Sequence, residues 1–195
     1  EEDTYPLPLI SDVMDAVGSA KSKIFSCLDL RSAFWQIPVH PDSQKYLTIN
    51  TYLGKYCFKV LPFGLHSSPS AFQRIINQIL RGIVWDFTIP FIDDIIVYSK
   101  DMDSHLEHLK QVFQRLEAAG LKLKPSKCIF AVREVKYLGH IISDQGLQVD
   151  PKKVSAVKDF ETPTSVTKVK SFLGLAGYYR KFVKDFAKIA RPLQE

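Results

Sequence analysis

The chain has 195 residues, 46% of them hydrophobic and 12% aromatic, with a formal net charge of +5. That is apolar material for one ordinary domain, or one domain with part of a second, and it excludes a disordered chain. No apolar run is long enough to span a bilayer, and the opening EEDTYPLPL lacks the charged-then-apolar order of a signal peptide, so a soluble, intracellular protein with no membrane partner is expected.

Three scattered cysteines, Cys27, Cys57 and Cys128, make neither a disulfide framework nor a zinc knuckle, and read as buried reduced thiols. The charge is unevenly placed. Residues 150–195 carry ten Lys or Arg against five acids, whereas residues 1–149 carry sixteen of each. A neutral body with a basic tail points to a polyanion met from one side; a solvated lysine-rich helix face is the plainer alternative.

In chain order, Leu7 to Gly18 reads as a helix with Ile10, Val13, Met14 and Val17 in a stripe. Ile24 to Leu30 reads as a buried strand with Asp29 at its C-terminal end. Pro38, Pro41 and Asp42 mark a loop, then Tyr46–Thr51 and Lys55–Val60 flank Leu53-Gly54 as a hairpin. LPFGLHSSPS is a loop in which Gly64 lets the backbone bend, and Ser68-Pro69 opens a helix with Phe72, Ile75, Ile76, Ile79, Leu80 and Ile83 on one face.

FTIPFIDDIIVYSK, Phe87 to Lys100, places two β-branched runs around Asp93-Asp94, a tight hairpin with carboxylates at its tip. Ser104 to Glu107 has the form of a capping box opening a helix with Leu106, Leu109, Val112, Phe113 and Leu116 inward and Gly120 at its end. His105 and His108 are read on a solvated face of that helix. Cys128–Val132 and Val135–Ile142 read as a second hairpin turned at Arg133-Glu134. Beyond Gly146 come a short helix from Pro151 and a longer helical stretch capped by Ser165, with Val169, Phe172, Leu173, Ala176, Tyr179, Val183 and Phe186 in phase. The predicted class is α+β, an antiparallel sheet packed on helices.

Adjacent carboxylates resist ionising together, and a divalent cation with oxygen ligands relieves that repulsion. Ordinary turn chemistry also explains Asp-Asp. Asp29 at a separate strand end tips the balance, because carboxylates from two strands with no His or Cys set suit two-metal phosphoryl or nucleotidyl transfer. Adjacent aspartates at a turn argue against a glycosidase, which needs a separated acid and base.

Five segments in order, LDLRSAFWQI, LPFGLHSSPSAFQ, FIDDIIVYS, GLKLKPSKC and VKYLGHII, resemble the palm of a retroelement reverse transcriptase of the gypsy-like LTR retrotransposon group. The tail from Val149 is similar to that group's segment linking the polymerase to its following domains. The resemblance implies a palm with part of the fingers (roughly 40–62) over residues 1–145, and the basic start of a helical thumb over 146–195. It implies an RNA-directed DNA polymerase adding dNTPs to a primer 3′-hydroxyl with two Mg²⁺ (Mn²⁺ as an alternative). Its partners would be an RNA template and DNA primer, as hybrid or DNA duplex, and RNase H and integrase domains of a Pol polyprotein. Its setting would be a cytoplasmic virus-like particle and the nucleus.

Carried over by position, Asp29, Asp93 and Asp94 resemble the catalytic, metal-ligating aspartates, with the Leu30 carbonyl as a further ligand. Arg31, Ser32, Ala33, Phe34, Phe63 and Gly64 would form the nucleotide pocket, Phe34 excluding a ribose 2′-hydroxyl by steric clash; packing in the core beside Trp35 is its alternative. Lys127 would protonate the leaving pyrophosphate, Leu138-Gly139-His140 would grip the primer end, and Lys168, Lys170, Arg180 and Lys181 would meet the duplex backbone. Phe91 stands where the acidic motif usually begins with Tyr. The chain starts where the family's basic fingers strands would end, which weakens the expectation that this stretch polymerises unaided. A catalytically inactive, polymerase-derived nucleic-acid-binding or scaffolding subunit remains the alternative, with another palm-fold two-metal enzyme behind it.

Overall fold

A computed structural model describes residues 5–193, with Lys152 and Lys153 described as backbone only. Glu1 to Thr4, the start of the segment read for a signal sequence, lie outside the described residues. The elements begin with helix α1 (Ile10–Ser19), strand β1 (Ile24–Asp29), a short α2 (Pro41–Gln44), strands β2 (Thr48–Thr51) and β3 (Gly54–Cys57), and helix α3 (Ser68–Ile79). Strands β4 (Thr88–Phe91) and β5 (Asp94–Ser99), helix α4 (Met102–Ala118) and strands β6 (Ile129–Val132), β7 (Glu134–Tyr137), β8 (His140–Ser143) and β9 (Gly146–Val149) follow. Helices α5 (Pro151–Lys158), α6 (Val166–Tyr178) and α7 (Phe186–Ala190) come last.

By packing, one unit runs through Val135 and includes Ser143–Gly146; the other comprises Lys136–Ile142 and the chain from Leu147. The first unit is built on an antiparallel sheet in the order β4-β5-β1-β6. Strand alternation decides its faces. Leu28, Leu30, Ile95 and Val97 pack with Phe72, Ile76 and Leu80 of the α3 segment and Leu109, Val112 and Leu116 of α4 in one core. With a side-chain period of two, their neighbours Cys27, Asp29, Asp94 and Ile96 must project from the opposite face. That face is closed too, with Phe25, Ile89, Ile96 and Tyr98 buried. Strands β7, β8 and β9 form a separate sheet, in the order β7-β8-β9. Among the described residues no helix is long and apolar enough to cross a membrane.

The α+β class holds, and several local readings are corrected. Helix α1 starts at Ile10 rather than Leu7, and the hairpin strands β2 and β3 are shorter than read, with every residue exposed. Ser67, not Ser68, precedes α3; the Ser68 hydroxyl donates to the Pro62 carbonyl at 3.0 Å. Helix α4 is capped one turn earlier, by Asp101, whose carboxylate accepts the Ser104 amide at 2.9 Å. The buried stripe is His105, Leu109, Val112 and Leu116, at helical spacing, while Leu106 and Phe113 lie outward. His105 is therefore fully buried, not solvated. Its ring nitrogens bond Ser26 Oγ and Ser99 Oγ, both at 2.7 Å, while His108 stacks on Phe87 with ring centroids 3.8 Å apart.

The expected hairpin at Arg133-Glu134 does not form. Strand β6 pairs with β1, and β7 turns into β8 at Leu138-Gly139, both with positive φ (47° and 79°) as a type I′ turn requires. Leucine is a poor marker of that turn, so the segment reads as one strand. The tail is not one long helix either. α6 stops at Tyr178, Val183 is extended and Asp185 is left-handed before α7 begins. The apolar phase continues across these breaks, with Phe172, Ala176, Tyr179, Val183 and Phe186 lining one apolar cavity of about 380 Å³.

Candidate active site

The hairpin of β4 and β5 closes through only two residues, Ile92 and Asp93, since Phe91 and Asp94 are register partners. Ile92 has φ 54°, the left-handed conformation that a type II′ turn assigns to glycine. A β-branched side chain there costs on the order of 1–3 kcal/mol. Across the sheet, Asp94 is the register partner of Asp29. The Leu30 amide donates to the Asp93 carbonyl at 3.0 Å, so the end of β1 and the hairpin tip are tied together. Asp29 and the Asp93-Asp94 pair, more than sixty positions apart in the sequence, thus share one sheet edge.

Their electrostatics follow from that crowding. Burial, then repulsion from Asp93 and Asp29, pushes the Asp94 carboxyl up to about 6, with Lys127 opposing. Burial, then the Asp94 charge, pushes the Cys27 thiol up to about 12, which keeps it protonated and unreactive. Lys127 Nζ lies 3.1 Å from Asp29 Oδ2, and that bond raises the lysine's pKa.

A cleft of about 500 Å³ opens at this edge, with Asp29 and Asp93 facing Arg31, Lys124 and Lys127, and Ser32 and Phe63 on its wall. Gln36 braces it, its amide bonding the Arg31 and Lys122 carbonyls and the Lys122 amide. Leu30 lines the cleft, whereas Ala33 is buried in the core. Phe34 bridges the two: its ring lies 5.2 Å from that of Phe63 and 5.5 Å from that of core Phe72. Gly64, at φ 89°, turns the chain directly after Phe63.

In the second unit, Leu138 and Gly139 form the β7–β8 turn. The Leu138 carbonyl lies 3.0 Å from His140 Nδ1 and accepts the Tyr178 hydroxyl at 3.2 Å, while the His140 ring sits among Tyr178, Tyr179 and Phe182. Lys168, Lys170, Arg180 and Lys181 are all exposed; Lys168 is 3.6 Å from Glu161, and its spacing from Lys170 points the two to different sides of α6.

Among the described residues no three His, Cys, Asp or Glu side chains are gathered so as to hold an ion by themselves. The donor set nevertheless fits a hard cation. It is oxygen-only, its like charges are close enough to raise Asp94, and Mg²⁺ characteristically takes one or two carboxylates and completes its shell with water and substrate phosphate.

The comparisons agree with this geometry. Residues 1–142 match the family model described as reverse transcriptase (RNA-dependent DNA polymerase). The chain belongs to the reverse transcriptase family. It is 43% identical over 98% of its length to the Retrovirus-related Pol polyprotein from transposon opus of Drosophila melanogaster, and 39% identical over 99% to that from transposon gypsy of the same species. It covers 19% and 18% of those two proteins, so it spans less than a fifth of the curated relatives it matches. Among solved structures it is similar to the foamy viral protease-reverse transcriptase in complex with RNA/DNA hybrid, with a TM-score of 0.83, 25% identity, and coverage of 98% of this chain and 26% of that one. The gypsy-like resemblance read from five motifs and the polymerase-like α+β fold are both borne out. Membership of the reverse transcriptase family brings dependence on a divalent metal ion in general terms.

Gln73 carried no reading of its own, and His105 carried that of a solvated face. Gln73 is completely buried, and its side chain bonds both Pro90 and Ile92 of the carboxylate hairpin. His105 bolts α4 to β1 and β5 beneath the sheet. The available signal was the same for both: a polar residue lying on a helix face that is otherwise buried.

Proposed function

We propose that this chain forms the catalytic core of an RNA-directed DNA polymerase, extending a primer 3′-hydroxyl with dNTPs on an RNA or DNA template. The observation that carries the reading is the β1–β5 register, which sets Asp29 opposite Asp94 beside Asp93 at the mouth of a cleft with a basic wall. Asp29, Asp93 and the Leu30 carbonyl, with Asp94 behind them, would hold two Mg²⁺ ions. Those ions, when bound, supply the positive charge that stabilises the attacking and leaving oxygens of an in-line transfer.

The chain's own residues do the rest. Arg31 and Lys124 attract the triphosphate, and Ser32 and Phe63 shape the wall against which the nucleotide lies. Phe34, wedged between Phe63 and Phe72, sets how much room remains beside the sugar. Lys127, held protonated by Asp29, is a proton donor within reach of the departing pyrophosphate. The Leu138–His140 turn serves as primer grip. Lys168, Lys170, Arg180 and Lys181 meet phosphates without reading sequence. RNase H and integrase partners within a polyprotein, and action in cytoplasmic virus-like particles and the nucleus, belong to the same proposal.

The test is primer extension on poly-rA/oligo-dT by the longer Pol chain carrying this stretch. Incorporation of dTTP that requires a divalent ion and disappears in Asp93→Asn supports the reading. Duplex binding without incorporation in the wild-type chain overturns it in favour of an inactive nucleic-acid-binding subunit.

A further inference from the structure

The turn that carries Asp93 contains a strained residue, and one buried amide closes on that turn from two sides. We propose that Gln73 is a positioning residue for the carboxylate hairpin, holding Ile92 left-handed so that Asp93 is presented beside Asp29. Its consequence for activity rests on the polymerase reading; the geometry itself does not.

Gln73 sits on α3 between Phe72 and Ile76, both fully buried, and is itself 0% exposed. Its Oε1 accepts the Ile92 amide at 2.8 Å, and its Nε2 donates to the Pro90 carbonyl at 2.9 Å and to Asn77 Oδ1 at 3.2 Å. The amide orientation follows from the partners, because a backbone N–H can only donate and a carbonyl only accept. Asn77 is fixed in turn, its Nδ2 donating to the Tyr5 hydroxyl at 2.8 Å.

A primary amide is the side chain that meets all three demands at once. Glutamate keeps the acceptor for Ile92 and loses both donors; leucine loses everything. Without the staple, only the two-residue turn holds Ile92 at φ 54°, against the preference of its β-branched side chain. A bulky residue released from that conformation returns to negative φ and rotates the peptide leading into Asp93. The sheet below is independent of this bond, since β1 and β5 are paired through six register positions.

Two measurements on the full Pol chain test the proposal. In hydrogen exchange, Gln73→Leu is expected to expose the Ile92 amide while the Ile96 and Val97 amides keep their protection. In primer extension, Gln73→Leu is expected to lower kcat roughly tenfold with KM for dNTP changed by less than about twofold, the signature of misplacement rather than lost binding. Because glycine adopts positive φ freely, the loss should shrink to about twofold when Gln73→Leu is made in an Ile92→Gly background. Should Gln73→Leu fail to fold, Gln73→Met, of similar length and with neither the acceptor for Ile92 nor the two donors, enters the same comparison. An equal loss in both backgrounds, or an Ile92 amide still protected without Gln73, overturns the proposal. A wild-type chain that extends no primer defeats the polymerase reading instead, and the exchange result then decides the staple alone.

Discussion

Asp29 and Asp94 face each other as register partners at the open end of β1 and β5, in an environment that lifts Asp94 to about 6. A carboxyl raised in the folded state binds more protons folded than unfolded between its ordinary value near 4 and about 6. Stability from this group is therefore present at low pH and lost as pH rises through 6. Asp94→Asn is expected to raise the unfolding midpoint at pH 8 and to leave it nearly unchanged at pH 4. Discounted for partial exposure, the gain at pH 8 is about 1 kcal/mol. Urea denaturation at the two pH values checks it; a stabilisation equal at both would remove charge crowding as the cause.

His105 should act in the opposite sense. Burial first, and then His108, lowers its pKa, so the folded protein resists protonating it. Its contribution is fully present above the ordinary histidine value of about 6.5 and is lost as pH falls below that. Its neutral ring joins Ser26 and Ser99 at 2.7 Å each. His105→Ala is expected to cost about 2–4 kcal/mol at pH 7.5 and to flatten the loss of stability between pH 7 and 5. Chemical denaturation across that range measures both.

Asp93→Asn changes one exposed carboxylate at the hairpin tip and touches no core side chain. It should reduce incorporation by at least about 100-fold. Circular dichroism and duplex affinity should stay close to wild type. A variant that loses activity only because it unfolds would remove Asp93 from the proposed metal site.

Phe34 tests whether the cleft discriminates sugars. Its ring touches Phe63 on the cleft side and Phe72 on the core side. Phe34→Val should raise ribonucleotide incorporation relative to dNTP about 10-fold or more, with a stability loss of roughly 1–3 kcal/mol from the core contact. Competition between rNTP and dNTP gives the ratio. An unchanged ratio with the same stability loss would leave Phe34 as a core aromatic only.

The site's residue types were legible in the chain because their signals are local. Asp29 ends a strand whose alternation is obvious, Asp93-Asp94 interrupts two β-branched runs, and five ordered motifs carried the family. Helix α3 and the Ser165 cap were legible for the same reason, since periodicity and capping depend on neighbours within a turn or two. The start of α4 was read one turn late because Asp101 and Ser104 both carry cap chemistry.

What the sequence by itself determined is the inventory: an acidic set, a basic tail, an α+β order and a family. Tertiary structure decided which of those residues meet. Strand register made Asp29 and Asp94 partners, because pairing is settled by which faces Leu28, Leu30, Ile95 and Val97 bury and not by proximity in the chain. It also placed a buried amide, Gln73, against the strained Ile92. A left-handed isoleucine has no local sequence signature, because its own preference opposes the conformation and the groups that hold it there come from another element.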